Sequence, residues 1–524
     1  MYVHDNEFDG VFPDGLVPQR RGGTAAGATA GPWAPREVGT APRGWAGGRP
    51  AELARLGLGD PVARAGLGVS ALQLAPVQAL AGPEFRRWIA DLERLGGCAS
   101  PVLLVGHTRW RDESGAVVHE FSSADRPFRT LMVSCRNRRA AVCPVCALLH
   151  NGDTYQIVVA GLSGGKGVPE IVRTHARVFA TVTAPSFGPV HRACDPGRPW
   201  ERCRPRRERP VCPHGLALWC MAQHREDDPE IGAALCPECY DYRGAVLWNA
   251  NAGKLWNRFV KQVWRETAAW AGLRRSELAN DLRLSYVKVA EFQRRGLIHF
   301  HAVIRFDGPG GAGDRPPGWA SASLLADLIR KAGPGVRSTA ALPGGGSLAL
   351  RLGDQLDARV ISRGTGEADE MDAQAVGSYI AKYVTKGDPA LTVLPVRLRH
   401  AGQIEASPLT EHARRMMREA WALGEAPETA ELNTRMWAHQ LGFRGNIATK
   451  SRRYSTTYGA LRRARSEHAR EAAGIAPIEG ERESSWRFVG KGLTPELGEI
   501  AAGVAERSQM RHGPRPAWIP DPDE

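Results

Sequence analysis

Residues 282–306, LRLSYVKVAEFQRRGLIHFHAVIRF, constrain this chain more than any other stretch. Two runs rich in β-branched and aromatic residues flank Arg294-Arg295-Gly296, so the segment predicts an antiparallel hairpin. Strand side chains alternate between faces, which sets His299 and His301 on one face and points Phe300 into the opposite layer. A turn over residues 294–296, with Gly296 left-handed, pairs Gln293 with Leu297 and puts Glu291 directly opposite His299. Two imidazoles and a carboxylate then converge with coordination positions left open. Such a set suits Mg²⁺ or Mn²⁺ polarising a phosphate oxygen, although imidazole also suits Zn²⁺, and the sequence leaves the ion open. The bland alternative is a half-exposed strand carrying two polar histidines.

The segment DAQAVGSYIAKYVTK, residues 372–386, has helical spacing and runs to a Gly387 stop. On a helix Tyr379 and Tyr383 lie one turn apart on one face, so two phenols address one target. A phenol is a poor nucleophile until its proton is removed or its anion is stabilised, a role open to the adjacent Lys382 and Lys386. The same pattern also fits an amphipathic helix with tyrosines at the core boundary.

All ten cysteines fall between Cys98 and Cys239. In a reducing compartment, close pairs point to metal rather than to disulfides. Cys135, Cys143 and Cys146, with Cys98 as fourth ligand, form one tetrahedral Zn²⁺ set, and Cys212, Cys220, Cys236 and Cys239 form the second. Cys194, Cys203, His214 and His224 lie close to the second set, where they could substitute into it or build a third site.

The chain has 524 residues and a formal charge of +13, which favours a polyanionic partner. Between Leu441 and Arg470 basic residues dominate, among them Arg444, Lys450, Arg452 and Arg453, interleaved with Phe443, Tyr454 and Tyr458, a mix that can grip phosphates and stack on bases. A second basic cluster, Arg204 to Arg209, is interrupted by proline and reads as a flexible phosphate-binding loop. Neither GLSGGKGVP (161–169) nor the Gly-rich loop at 343–346 fits G-x-x-x-x-G-K-[ST], so no ATPase or helicase is expected in this chain. With no long apolar run and an acidic N-terminus, the chain reads as cytoplasmic, without a membrane partner.

Taken together, EFQRRGLIHFH and YIAKYVTKGD resemble the metal and nucleophile motifs of the HUH endonucleases, specifically rolling-circle replication initiators. RVFATVTAPSFGP (177–189) resembles the first strand motif of that family, and the order of the three motifs is that of initiators rather than of conjugative relaxases. The cysteine pattern and LGFRGNIATKSRRYSTT (441–457) further resemble actinobacterial RepSA-like initiators of plasmids and integrative elements.

The resemblance implies that His299, His301 and Glu291 bind the catalytic ion and that Tyr383 attacks the scissile phosphate, with Tyr379 available for a second transfer. It implies a 5′-phosphotyrosine, a free 3′-OH, single-stranded and duplex origin DNA as partners, and a separate host helicase and polymerase. The implied fold is α+β: an HUH-type central, mostly antiparallel sheet with flanking helices, a Cys-rich zinc-binding insertion and a basic, mostly helical C-terminal region.

Five regions are expected. A Gly/Pro/Ala/Arg-rich arm without fixed structure covers 1–80, and the N-terminal part of the catalytic region with the cysteines covers 81–246. The core with hairpin and tyrosine helix covers 247–390, a basic helical DNA-binding region 391–471 and a polar tail 472–524. Two other readings stand beside this one: a single-strand transposase of the same superfamily, and a non-enzymatic, zinc-stabilised DNA-binding regulator.

Overall fold

The computed structural model describes residues 83–361, 375–380, 393, 394, 396–474 and 478–511. The arm expected over 1–80 lies outside them. In chain order the first elements are α1 (Pro83–Arg94), β1 (Val102–Arg111), β2 (Val117–Ser122), β3 (Leu131–Val133), α2 (Pro144–Ser163), β4 (Arg177–Val182) and α3 (Tyr242–Trp270). There follow α4 (Arg275–Asp281), β5 (Arg283–Phe292), β6 (Ile298–Asp307), α5 (Ala322–Ala332), β7 (Arg337–Ala341), β8 (Ser347–Arg351) and β9 (Leu356–Val360). The last are α6 (Glu411–Glu425), β10 (Ala448–Lys450), α7 (Tyr458–Ala472), β11 (Glu481–Lys491) and α8 (Pro495–Arg511). The architecture is α+β, and every strand pairing among the described residues is antiparallel.

The described residues form two compact units, one made of those from 83 to 150 and from 457 to 511, the other of those from 151 to 456. In the first, β1 pairs with β11 along its whole length and with β2 and β3 on its other side. Phe85, Trp88 and Leu92 of α1 share a small core with Leu497, Ala501 and Val504 of α8. Residues 481–511 therefore form a strand and a helix, where a polar tail is expected from sequence. The reason is partner distance: most β11 side chains are exposed, so its stability as a strand comes from hydrogen bonds to β1, hundreds of residues earlier.

The second unit is built on a sheet of order β10-β5-β6-β4-β9. Its hairpin β5–β6 has Glu291 opposite His299, the register that the turn chemistry predicts, with Gln293 N–H donating to Leu297 O at 2.8 Å and Gly296 at φ +76°. Even-numbered residues of β6 face α3, where the Trp256 ring lies 5.4 Å from Phe300. Asn249 of α3, fully buried, pins the turn: its amide donates to Gly296 O (2.8 Å) and Leu441 O (3.0 Å), while its carbonyl accepts from Ile298 N–H (3.1 Å). Arg295 is anchored in turn to the carbonyls of Ala184 and Pro185.

The opposite, odd-numbered face carries His299 and His301 and, further along β6, Arg305. Buried Arg305 pairs with Asp307 (2.6 and 2.9 Å), and Asp307 also holds the His175 ring at 2.8 Å. No helix among the described residues is long and apolar enough to cross a membrane.

Candidate metal centre

Glu291 Oε2 lies 2.6 Å from His299 Nε2 and 3.1 Å from His301 Nε2, so a single carboxylate oxygen faces both imidazoles. The hairpin register brings these three donors together. Accessibility is graded: the His301 side chain is 3% exposed, against 16% for His299 and 20% for Glu291, so the group opens to solvent on one side only. Thr181 of β4, directly opposite His301, holds the other ring nitrogen, Oγ1 to Nδ1 at 3.2 Å. Thr181 Oγ1 can accept from Nδ1–H, which leaves Nε2 as the nitrogen turned toward Glu291.

Burial pushes the His301 imidazole below its ordinary value, favouring the neutral form that ligates metal. Burial acts to raise the Glu291 carboxyl, but hydrogen bonds from both histidines outweigh it and hold the group below the usual range. A neutral imidazole, a second imidazole and an ionised carboxylate, with one open side, fit a divalent cation of the catalytic kind.

A helical stretch, residues 375–380, carries Tyr379. Its ring meets His301 edge-on (centroids 5.2 Å, 89°) and Phe179 likewise (5.5 Å, 88°). Close approach of this stretch to α2 depends on Gly377, where a Cβ would come within 2.6 Å of Val159. Tyr383, Lys382 and Lys386 lie outside the described residues.

Three thiol-rich groups accompany this centre. Cys98, Cys135, Cys143 and Cys146 converge, with Cys98 Sγ 3.8 Å from Cys143 Sγ and 3.6 Å from Cys146 Sγ. Cys212, Cys236 and Cys239 also converge, but their fourth member is His214, whose Nδ1 is 3.3 Å from Cys239 Sγ and 3.6 Å from Cys236 Sγ. Cys220, expected in that set, sits instead with His191, Cys203 and His224. Spacing alone misassigns it because the segment folds back on itself: Cys220 exchanges both backbone hydrogen bonds with Arg204, which carries it to Cys203.

Of the basic residues expected to bind DNA, Lys450 lies on β10 opposite Val287, on the Glu291 face of the sheet. The Arg444 guanidinium donates to Glu431 O (3.0 Å), that of Arg453 to Gly310 O (3.1 Å), and Arg452 is exposed. Two of the three aromatics expected to stack on bases do otherwise. Phe443 and Tyr454 are buried, Phe443 edge-on to Phe292 and Tyr454 under the Arg305 guanidinium with its hydroxyl on Val158 O. Large rings next to a closed core gain more by burial than by waiting for a ligand. Elsewhere, Arg204, Arg206 and Arg207 line a groove of about 530 Å³ with Ser186, Gly188 and Leu218.

Thr181, His191 and Asp228 escape sequence reasoning. Thr181 carries no signal beyond its place in a strand, whereas the dense His/Cys content of 191–224 is a usable one.

An antiparallel sheet that turns two imidazoles and a carboxylate to one open side, together with three thiol-rich groups whose donor atoms converge, marks an α+β protein with several places for metal. The chain belongs to the RepSA family of replication initiators: the family described as replication initiator protein, pSAM2, matches residues 84–506. A replication initiator protein of Streptomyces ambofaciens is 42% identical over 441 residues, covering 82% of this chain and 91% of the relative. No solved structure matches the chain.

Proposed function

We propose that this chain starts rolling-circle replication of a plasmid or integrative element by nicking one strand at the origin, on an HUH-type catalytic sheet. The observation that carries the reading is the convergence of Glu291, His299 and His301 on the open side of the sheet with the Tyr379 ring against His301. Bound there, a divalent ion, Mg²⁺ or Mn²⁺, supplies Lewis-acid polarisation of the scissile phosphate.

Tyr383 is the primary nucleophile. Its hydroxyl loses a proton and attacks phosphorus; the new bond is tyrosyl oxygen to phosphorus, the broken one phosphorus to the 3′ oxygen, which leaves as the 3′-OH. Lys382 and Lys386 stabilise the phenolate or the charge on the phosphate. The 3′-OH primes a host polymerase, and Tyr379 serves the second transfer that closes the circle. Strand opening falls to a separate host helicase, since the sequence holds no phosphate-binding loop of the G-x-x-x-x-G-K-[ST] kind. Arg444, Lys450, Arg452 and Arg453 contact the DNA backbone, and the protein acts in the cytoplasm. Zn²⁺ at Cys98, Cys135, Cys143 and Cys146, and at Cys212, Cys236 and Cys239 with His214, is structural.

The test incubates purified full-length chain with labelled single-stranded origin oligonucleotides and Mn²⁺ or Mg²⁺, with and without EDTA. A denaturation-resistant adduct is expected in wild type and absent from Tyr383→Phe and His299→Ala. Tight origin binding without any adduct, under either metal, would replace this reading with a zinc-stabilised DNA-binding regulator.

A further inference from the structure

The segment between β4 and α3, residues 183–241, contains no helix or strand of its own, only isolated backbone bridges such as Val190 to Ala234 and Arg204 to Cys220. A stretch of that length with so little regular structure and so little apolar burial needs another source of order. Its histidines and cysteines include two donor groups, both separate from the one formed by Glu291, His299 and His301.

We infer that His191, Cys203, Cys220 and His224 hold a zinc ion of their own, interleaved with the site formed by Cys212, His214, Cys236 and Cys239. Four observations carry this. The four donor atoms all lie within 4.8 Å of one another. Tetrahedral zinc with ordinary bond lengths sets ligand edges of about 3.4 Å between two nitrogens and about 3.6 Å between sulfur and nitrogen. Against these, His191 Nδ1 to His224 Nε2 is 3.0 Å, Cys203 Sγ to His191 Nδ1 is 3.7 Å and Cys220 Sγ to His224 Nε2 is 3.4 Å.

Secondly, the surroundings are those of ligands rather than of buried polar groups. Asp228 Oδ2 accepts from His224 Nδ1 at 2.7 Å, which fixes the tautomer and aims the Nε2 lone pair at the other three donors. Thirdly, Cys203 Sγ accepts the backbone N–H of Arg192 at 3.3 Å, which orients the sulfur toward the group in the manner of a supported ligand. Fourthly, the backbone is built to bring them together: Cys203 N–H donates to Ala222 O and Cys220 N–H to Arg204 O, each at 2.9 Å, so the two thiols come from adjacent extended segments.

The ligands alternate in pairs along the chain: 191 and 203, then 212 and 214, then 220 and 224, then 236 and 239. Each ion therefore closes a loop that contains a ligand pair of the other. Cys203 and Cys212 bracket the arginine-rich loop, so both its ends are fixed to metal.

The measurement is zinc per chain on full-length protein, by native mass spectrometry with elemental analysis. Cys203→Ser/Cys220→Ser is expected to hold at least one zinc fewer than wild type. Cys194→Ser, a buried cysteine of the same segment outside every donor group among the described residues, keeps the full number. Since the double variant could lose the fold of the segment, Asp228→Asn gives the decisive reading: one zinc is expected to pass to a competing chelator with affinity lowered about 10- to 100-fold. Zinc content unchanged in the double variant, or wild-type retention in Asp228→Asn, would reduce the group to a hydrogen-bonded histidine pair and overturn the inference. Neither result depends on DNA cleavage, so failure of this site and failure of the nicking reading are separable.

Discussion

The ring of Tyr379 stands edge-on to the imidazole of His301, centroids 5.2 Å apart and planes at 89°. Ring packing of this kind needs the aromatic body and is indifferent to the hydroxyl. Tyr379→Phe therefore keeps this packing. It should still form the first covalent adduct while losing circle closure, read as accumulation of nicked, protein-bound product in a strand-transfer assay. Loss of the first adduct instead would make Tyr379 the primary nucleophile and Tyr383 the second.

Thr181 holds the back of the His301 ring, and a ligand deprived of its orienting hydrogen bond binds its ion less well. Thr181→Val keeps the shape and removes the oxygen. Mn²⁺ affinity, measured by isothermal titration, is expected to fall about 10- to 100-fold, with cleavage restored by excess metal. His299→Ala removes a ligand outright, so excess metal should not rescue it. Equal affinities for Thr181→Val and wild type would mean that His301 is oriented by its ring contacts with Phe179 and Tyr379 rather than by Thr181.

The hairpin was legible because every link in it is local. Alternation sets the histidine face, Gly296 sets the turn, and the turn sets Glu291 opposite His299. The Cys98 set could be grouped from spacing, since its last three cysteines lie within twelve residues of one another. Cys220 could not, because its neighbours are decided by a bridge to Arg204 rather than by sequence distance. The same holds for β11, whose sequence ERESSWRFVGK shows little apolar alternation and whose order comes from β1. Asn249 reads as one polar residue in an apolar helix, and only the returning turn shows what it satisfies.

Arg206 and Arg207 line the groove beside Ser186 and Gly188, and neither guanidinium is ion-paired to an acidic side chain among the described residues, which leaves their charge for phosphate. Arg206→Ala/Arg207→Ala is expected to weaken origin and non-origin DNA alike. The slope of log K against log salt should shrink by about 0.9 for each phosphate that is no longer neutralised. Fluorescence anisotropy at several salt concentrations reads both. A change confined to origin DNA would assign these residues to base recognition instead.

Lys288 is buried on the α3 side of β5, its ammonium 4.3 Å from the Phe300 ring centre and 5.6 Å from that of Trp256, and burial pushes it down to about 7. Below that value folded and unfolded chains both carry the proton. Between there and the unfolded lysine value of about 10.4, the unfolded chain binds more protons, so stability rises with pH across that window. Lys288→Met should flatten this rise and stabilise the fold at pH 7 by about 1–3 kcal/mol. Urea melts of both chains from about pH 7 to 10 give the difference curve, and a difference independent of pH would place the ammonium in contact with water.

Asn249 joins three backbone groups that it alone on α3 bonds: Gly296 O, Leu441 O and Ile298 N–H. Asn249→Ala strands all three in a buried site, each at the cost of an unmet hydrogen bond, so a loss of about 2–4 kcal/mol is expected. Because two of the three belong to the turn and the first residue of β6, the damage should reach the metal centre. Mn²⁺ affinity is expected to drop in the folded variant even below its melting range, whereas a purely global effect would leave affinity unchanged until the chain unfolds. Asn249→Asp separates the donor from the acceptor role: it retains an oxygen for Ile298 N–H but offers no N–H to the two carbonyls, and it should be at least as destabilising as alanine.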